Sequence, residues 1–320
     1  MRRSLAGLAA ATVLLAVAAC GSEEPADGTP SSTGTTKVAV GVIPIVDVAP
    51  IYLGKDKGFF SKRGIELTLT PAQGGAAIVP GVVSGQFQFG FSNVTSLMIA
   101  QTKAVPIKVV ANGVASTGKS GADFGAVVVK GDSPIQSAKD LAGRKVAVNT
   151  LKNIGDTTVR ESVRKAGGDP AGIQFVEIGF PQMAAALDNG QVDAAWVVEP
   201  TLSATKAAGA RPVAWNFVDA APDLTVAVYF TSTKLTQENP ELVRRFAEAI
   251  NESLQYADTH PDEVRAVLGS YTQISEELRT SMTLPKWPTQ INKTSIEALA
   301  RLGQSDGVFT TAPDLSALLP

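Results

Sequence analysis

Ser84-Gly85-Gln86-Phe87-Gln88-Phe89-Gly90-Phe91 and Asn189-Gly190-Gln191-Val192-Asp193-Ala194-Ala195-Trp196 share one form: a polar helix end, a glycine turn, then an apolar run suited to a strand. Upstream of each stands the same tetrapeptide, Lys37-Val38-Ala39-Val40 and Lys145-Val146-Ala147-Val148. Two matches in the same order, at offsets of 105 and 108 residues, read as two α/β units of shared architecture. Outward from these anchors, strands fit Val38–Ile43, Ile65–Thr70, Gln86–Phe91 and Ile107–Ala111, with helices after Ala49, Gly75 and Asn93. In the second half, strands fit Gly125–Lys130, Lys145–Asn149, Gln174–Ile178, Asp193–Val198 and Arg211–Trp215. Helices fit Asp156–Ala166, Pro181–Asp188 and Pro200–Ala208 between them. Repeated strand-then-helix order implies parallel-rich sheets covered on both faces.

Beyond Thr231 the pattern turns helical. Asn239-Pro240 is a cap and first-turn pair, and Leu242, Val243, Phe246, Ile250, Leu254 and Ala257 recur at helical spacing as a core stripe. Pro261–Leu268, Glu276–Met282 and Thr294–Leu302 continue a helical tail expected to wrap onto the first lobe. The expected organisation is residues 37–120 and 230–320 as lobe 1 and 121–229 as lobe 2. The chain is expected to cross between them at Gly118–Phe124 and Thr225–Ser232.

The N-terminus reads as an address. Met1-Arg2-Arg3 precedes an apolar stretch from Leu5 to Ala19, too short for the roughly 20 residues of a membrane span and suited to a secretory signal. Val17-Ala18-Ala19-Cys20 resembles a bacterial lipobox, which implies cleavage after residue 19 and acylation of Cys20, the only cysteine. Residues 20–36 contain no large apolar side chain and read as a flexible linker, with Glu23, Glu24 and Asp27 ill-suited to anionic lipid heads. The chain is therefore expected outside the cytoplasm, held to the cell membrane by lipid. With 44% hydrophobic and 18% charged residues there is ample material for a core. A net charge of −2, about −4 once Arg2 and Arg3 are cut away, offers no footprint for nucleic acid.

Open parallel α/β sheets bind ligands beyond the carboxyl ends of their strands, at helix N-termini. The loops there supply the candidate ligand-binding residues Asp47, Gly74, Gly75, Phe91, Ser92 and Asn93 from one half. The other half supplies Thr150, Asn153, Gly155, Asp156, Trp196 and Glu199. Gly74-Gly75 reads either as an anion-cradling nest or as a tight turn, and Ser92-Asn93 as a helix cap that can also donate to a ligand. Thr158-Val159-Arg160-Glu161 fits a capping box, which puts Asp156 and Thr157 where that helix opens. Phe91 and Trp196 occupy equivalent places and could grip a ligand from two sides, or simply pack at strand ends. Glu199 either meets a donor on the ligand or, with a slight preference, stabilises the helix after Pro200. These loops contain three carboxylates, no arginine and one lysine, Lys152. That balance disfavours a bare anion such as nitrate and suits a zwitterion or an amine-bearing ring better.

Ala49-Pro50-Ile51-Tyr52-Leu53-Gly54-Lys55-Asp56-Lys57-Gly58-Phe59-Phe60, then Gly64-Ile65 and Gly74-Gly75, is similar to the opening of the nitrate/sulfonate/taurine solute-binding protein family. So are Asp140–Val148, Ala186–Trp196 and Glu199-Pro200. The resemblance implies a two-lobed, type II periplasmic-binding-protein-like fold with two hinge crossings and a C-terminal helical tail. It further implies a monomer that delivers a small solute, sulfonate- or taurine-like or nitrogen-containing, to an ABC permease and its ATPase. A thiamine-precursor-like aminopyrimidine is the alternative solute. Two readings of other classes remain: a ligand-sensing receptor lipoprotein, and a pyrimidine-synthase-like enzyme, which a mature chain with one cysteine and one histidine, His260, is poorly equipped to be. No metal, cofactor or catalytic residue is expected.

If Cys20 carries the anchor, Cys20→Ser should leave the protein in the aqueous phase of a detergent partition and change the intact mass of the N-terminal peptide. Equal partition and equal mass for both forms would remove the lipoprotein reading.

Overall fold

The computed structural model describes residues 34–320; the signal, Cys20 and most of the linker lie outside the described residues. Among the described residues no helix is long and apolar enough to cross a membrane. The first stretch runs β1 (Thr36–Val42), α1 (Ala49–Asp56), β2 (Ile65–Pro71), α2 (Gly75–Val83), β3 (Phe89–Asn93), α3 (Val94–Thr102) and β4 (Ile107–Ala115). The second runs β5 (Gly125–Val129), β6 (Lys145–Val148), α4 (Ile154–Lys165), β7 (Gln174–Glu177), α5 (Phe180–Asp188), β8 (Ala194–Val198), α6 (Thr201–Ala207), β9 (Arg211–Ala214) and α7 (Asn216–Ala220). Then come β10 (Thr225–Ser232), α8 (Thr233–Glu238), α9 (Pro240–Thr259), α10 (Pro261–Leu268), α11 (Glu276–Ser281), α12 (Lys293–Ser305) and α13 (Leu315–Leu318).

Two five-stranded sheets result, ordered β2-β1-β3-β10-β4 and β7-β6-β8-β5-β9. They are the same sheet twice. In the first, β1 runs parallel to β2 and β3, and β10 is antiparallel to β3 and β4. In the second, β6 runs parallel to β7 and β8, and β5 is antiparallel to β8 and β9. The chain thus enters the second sheet, and later re-enters the first, on the antiparallel strand of each.

Register shows how far the sequence repeat holds. Ala39 N–H donates to the Gln88 side chain and Lys145 N–H to the Asp193 side chain, each at 2.8 Å. Val40 pairs with Phe89 and Val146 with Ala194. Gln88 and Asp193 are therefore equivalent at an offset of 105, as the match of Ser84–Phe91 with Asn189–Trp196 requires, and so are Phe91 and Trp196. The tetrapeptide match is not structural: Lys145 stands where Ala39 does, so the tetrapeptides are two residues out of register. Because side chains alternate with period two, the slip leaves inward and outward faces unchanged and only the sequence similarity misleads.

Thr225–Ser232, expected as a crossing, is instead β10, in the interior of the first sheet. Residues 225–229, assigned from sequence to the second half, therefore belong to the first sheet. The outward connection lies between β4 and β5, spanning Gly118–Phe124, and the return falls at residues 221–224. The two connections touch, with Ser116 N–H donating to the Leu224 carbonyl at 2.9 Å. Asp123 braces the outward one, accepting from Ser116 Oγ at 2.7 Å and Thr117 N–H at 2.9 Å.

The apolar stripe of α9 lands where its spacing puts it. Asn239 caps the helix, accepting from Leu242 N–H at 3.0 Å, and the fully buried Phe246 stacks on Phe89 with ring centres 3.7 Å apart. The tail is not confined to the first sheet's side as expected: α12 packs on α3 and also on α4, where Arg164 makes a two-pronged pair with Asp306 at 2.8 and 3.3 Å. Phe246→Ala should destabilise the protein by about 3–5 kcal/mol in denaturant unfolding, the range for emptying a buried aromatic site. A change under about 1 kcal/mol would mean that α9 is not part of this core.

Candidate functional site between the two sheets

The carboxyl ends of β1 and β3 face those of β6 and β8, and the loops that follow them meet. Val46 N–H donates to the Glu199 carbonyl at 3.1 Å. Asn153 Nδ2 donates to Ser96 Oγ, at the start of α3, at 3.0 Å, and both groups are buried. Gly74 sits so close to the second body that a Cβ there would lie 3.1 Å from Thr150 Oγ1 and 3.3 Å from Asn149 Nδ2. These contacts enclose a chamber of about 30 Å³, whose walls include Asp47, Phe91, Asn93, Ile154, Trp196 and Phe217. Ile43, Ile45 and Phe180 are shared with a larger cleft of about 950 Å³ beside it. The chamber as it stands has room for about one or two waters.

Asp47, Phe91, Asn93 and Trp196 come together in this wall. Asp47, 3% exposed, has no hydrogen-bond partner for Oδ1 among the described residues, and the same holds for Trp196 Nε1, also 3% exposed. Burial pushes the Asp47 carboxyl up to about 7; its own backbone N–H opposes the rise and the Asp123 carboxylate adds to it. Tyr52, Tyr229 and Tyr271 lie in the same field, their hydroxyls held above the usual range chiefly by burial. Trp196 is set between Phe180 and Phe217, edge-on to both, at 5.5 and 5.8 Å. Gly155 lets it sit there, since a Cβ would lie 2.6 Å from the indole.

The other candidates have structural duties. Asn93 caps α3, accepting from Ser96 N–H at 2.9 Å, and Ser92 Oγ donates to the Asn93 carbonyl at 3.0 Å. Gly74 is the extended N-cap of α2 with φ −173°, and Gly75 opens the helix, so the pair starts a helix and forms neither an anion-cradling nest nor a free-standing tight turn. Gly75 is needed for close approach, because a Cβ would lie 2.9 Å from the Ser92 Cα. The capping-box reading fails: α4 opens at Ile154 with Asn153 as its cap, while Thr158 is inside the helix, donating to the Ile154 carbonyl at 2.7 Å. Asp156 Oδ2 accepts from Lys152 N–H at 2.9 Å, and burial lifts its carboxyl to about 6. Glu199 lines neither space. Its carboxylate accepts from Ser203 N–H at 2.9 Å and Ser203 Oγ at 2.8 Å in the first turn of α6, and burial raises its pKa. His260 lies at the α9–α10 junction, stacked on Tyr256.

Sequence reading passed over Asn149, Phe180, Phe217 and Tyr229. Tyr229 lies opposite Phe91 across the β3–β10 ladder, and its buried hydroxyl has no partner among the described residues. Reading Thr225–Ser232 as a strand was the signal that would have found it. Among the described residues no group of three or more His, Cys, Asp or Glu side chains could hold a metal ion.

A family model described as NMT1/THI5 like matches residues 45–264, and the chain belongs to that family. It is 26% identical over 207 residues to the taurine-binding periplasmic protein of Escherichia coli K12, a match covering 65% of this chain and 62% of that protein, less than two thirds of the relative's length. It is 25% identical over 310 residues to the riboflavin-binding protein RibY of Chloroflexus aurantiacus, covering 92% of this chain and 83% of the relative. In three dimensions it resembles the alkanesulfonate-binding protein SsuA of Xanthomonas axonopodis pv. citri bound to MOPS, with a TM-score of 0.75 at 15% identity over 90% of this chain and 99% of the other. The fold is that of the periplasmic binding proteins.

Because Asp47 is raised from its ordinary 3.8 to about 7, the folded protein holds a proton there that the unfolded chain releases above pH 4. Stability from this group is therefore full below about pH 4 and is lost as pH rises through about 7. Asp47→Asn should match the parent near pH 4 and exceed it by on the order of 2–4 kcal/mol at pH 8 in urea unfolding. A constant difference between the two proteins at both pH values would show that Asp47 is not desolvated.

Proposed function

We propose that this chain is the extracytoplasmic solute receptor of an ABC importer, lipid-anchored through Cys20 and working as a monomer, and that it is not an enzyme. Each sheet with its helices acts as one lobe, and the paired connections at 116–124 and 221–224 act as the hinge. The observation that carries the reading is the chamber itself: two topologically identical sheets point their strand ends at one space whose wall holds two buried polar atoms, Asp47 Oδ1 and Trp196 Nε1, without a partner among the described residues. Binding a solute there favours the closed form through contacts with both lobes, and the permease recognises that form. The taurine- and riboflavin-binding functions of the relatives support the class. An aminopyrimidine remains the alternative solute, and sensing rather than transport the alternative use.

A thermal-shift screen over taurine, alkanesulfonates, nitrate, aminopyrimidines, riboflavin and aromatic acids tests the receptor role, since a ligand at a hundredfold excess over Kd stabilises by about 2.7 kcal/mol. The buried Ser96–Asn153 bond acts as a latch in this reading. Ser96→Ala leaves the Asn153 amide unpaired when closed, at a cost of about 1–3 kcal/mol, and so shifts the ligand-free protein toward an open form. Small-angle scattering should show a larger radius of gyration for Ser96→Ala than for the parent without ligand. Identical curves would count against a hinged cleft.

A further inference from the structure

The helix α12 is tied to the first body at both ends. At its start, Asn292 N–H donates to Thr225 Oγ1 of β10 at 3.0 Å, and Thr225 N–H donates to Ser295 Oγ at 3.0 Å. The Asn292 amide also donates to the Asp223 carbonyl, in the return connection, at 3.1 Å. Beyond the end of α12 the chain comes back to α3 and β4. There Asp314 N–H donates to the Gln101 side chain at 2.9 Å, and Lys108 Nζ donates to the Ala317 carbonyl at 3.1 Å. Between these anchors the helix reaches the other body. Asp306 is the C-cap of α12, and its carboxylate takes both prongs of Arg164, from the last turn of α4, at 2.8 and 3.3 Å.

A carboxylate at a helix C-terminus opposes that helix's dipole, whereas an arginine in the last turn of α4 suits its own. Nothing within α12 favours an acid at 306; the partner across the seam accounts for it. Glu161, one turn earlier in α4, accepts from Arg164 Nε at 2.8 Å. The guanidinium is thereby aimed at Asp306 and keeps a partner if Asp306 leaves, so the tie can release without stranding an arginine. An exposed ion pair contributes little, but the two-pronged geometry and an Asp306 side chain only 6% exposed set this one apart. The opposite end of α4 is held by the Asn153–Ser96 bond. Residues 153 and 164 are about 16 Å apart along a helix, so the two ties resist rotation of the second body as well as its separation.

We propose that α12 is a strap across the seam and that the Arg164–Asp306 pair is its clasp, holding the ligand-free protein mostly closed. Opening breaks the pair, leaving Arg164 with Glu161 and Asp306 with water. A solute that bridges both lobes then meets a form already populated. This rests on the hinged, two-lobed reading and adds to it the element that sets the resting balance.

Cys20 is the only cysteine, so in Cys20→Ser the pair Val83→Cys and Asn189→Cys, both at exposed positions, carries one spin label on each body. Pulsed electron resonance then gives the ligand-free distance distribution. Asp306→Asn and Arg164→Gln should each raise the open-to-closed ratio about fivefold, and the double variant should go no further than either. Raising sodium chloride to about 0.5 M should open the parent and leave both variants nearly unmoved. Melting curves establish that each variant folds, and the salt response of the parent needs no variant at all. A parent distribution in Asp306→Asn, an effect of one single variant without the other, added effects in the double variant, or a parent indifferent to salt overturns the clasp. Opening by Ser96→Ala but not by Asp306→Asn leaves the hinge standing and removes the strap; no opening by any of them removes both.

Discussion

Two side chains hold the register on which the rest depends. Gln88 and Asp193 each reach back from the turn before a central strand to take the N–H of the neighbouring strand. A slip of one residue would turn every side chain of β3 or β8 to the opposite face, sending Phe91 and Trp196 out of the space they share. Pinning the strand at its start fixes where its far end arrives, and the far ends are where the two bodies meet. The equivalence is chemical as well as geometric: an amide does on one side what a carboxylate does on the other, since the donor needs only an oxygen.

Much of this was legible in the chain. The alternation of strand and helix, the glycine turns at 85 and 190, and the stripe of α9 are local patterns, and local patterns survive into structure when the tertiary environment agrees with them. What could not be read was non-local. Thr225–Ser232 looks like a strand, but the sheet it joins is decided by partners at 90–93 and 107–115, more than a hundred residues earlier. The repeated tetrapeptide misled by two residues because apolar strands resemble one another at any even offset. Glu199 stands just before α6, and its carboxylate accepts from Ser203 in the first turn of that helix, the duty its position before Pro200 slightly favours.

The candidate site follows the same division. Asp47 and Trp196 were found because they lie where strands end, which sequence shows. That one oxygen and one nitrogen of these two side chains find no partner among the described residues was not legible, because satisfaction depends on every neighbour at once. Tyr229 was lost with its strand. Gly75 and Gly155 are there because two parts of the chain come too close for a Cβ.

The late return of the chain to the first sheet has a consequence for the order of assembly. The second sheet is made from one continuous stretch, 125–214, whereas the first lacks an interior strand until residues 225–232 are present. Its closure spans the whole intervening body, and loops that long must be closed before their contacts repay the entropy. A chain emerging from its N-terminus would therefore hold β3 and β4 apart with open edges while the second body, though later in sequence, already has all its strands. Those edges are templates for pairing with other chains. Holding such a chain extended until its last third has emerged is the task the architecture sets for whatever machinery delivers it.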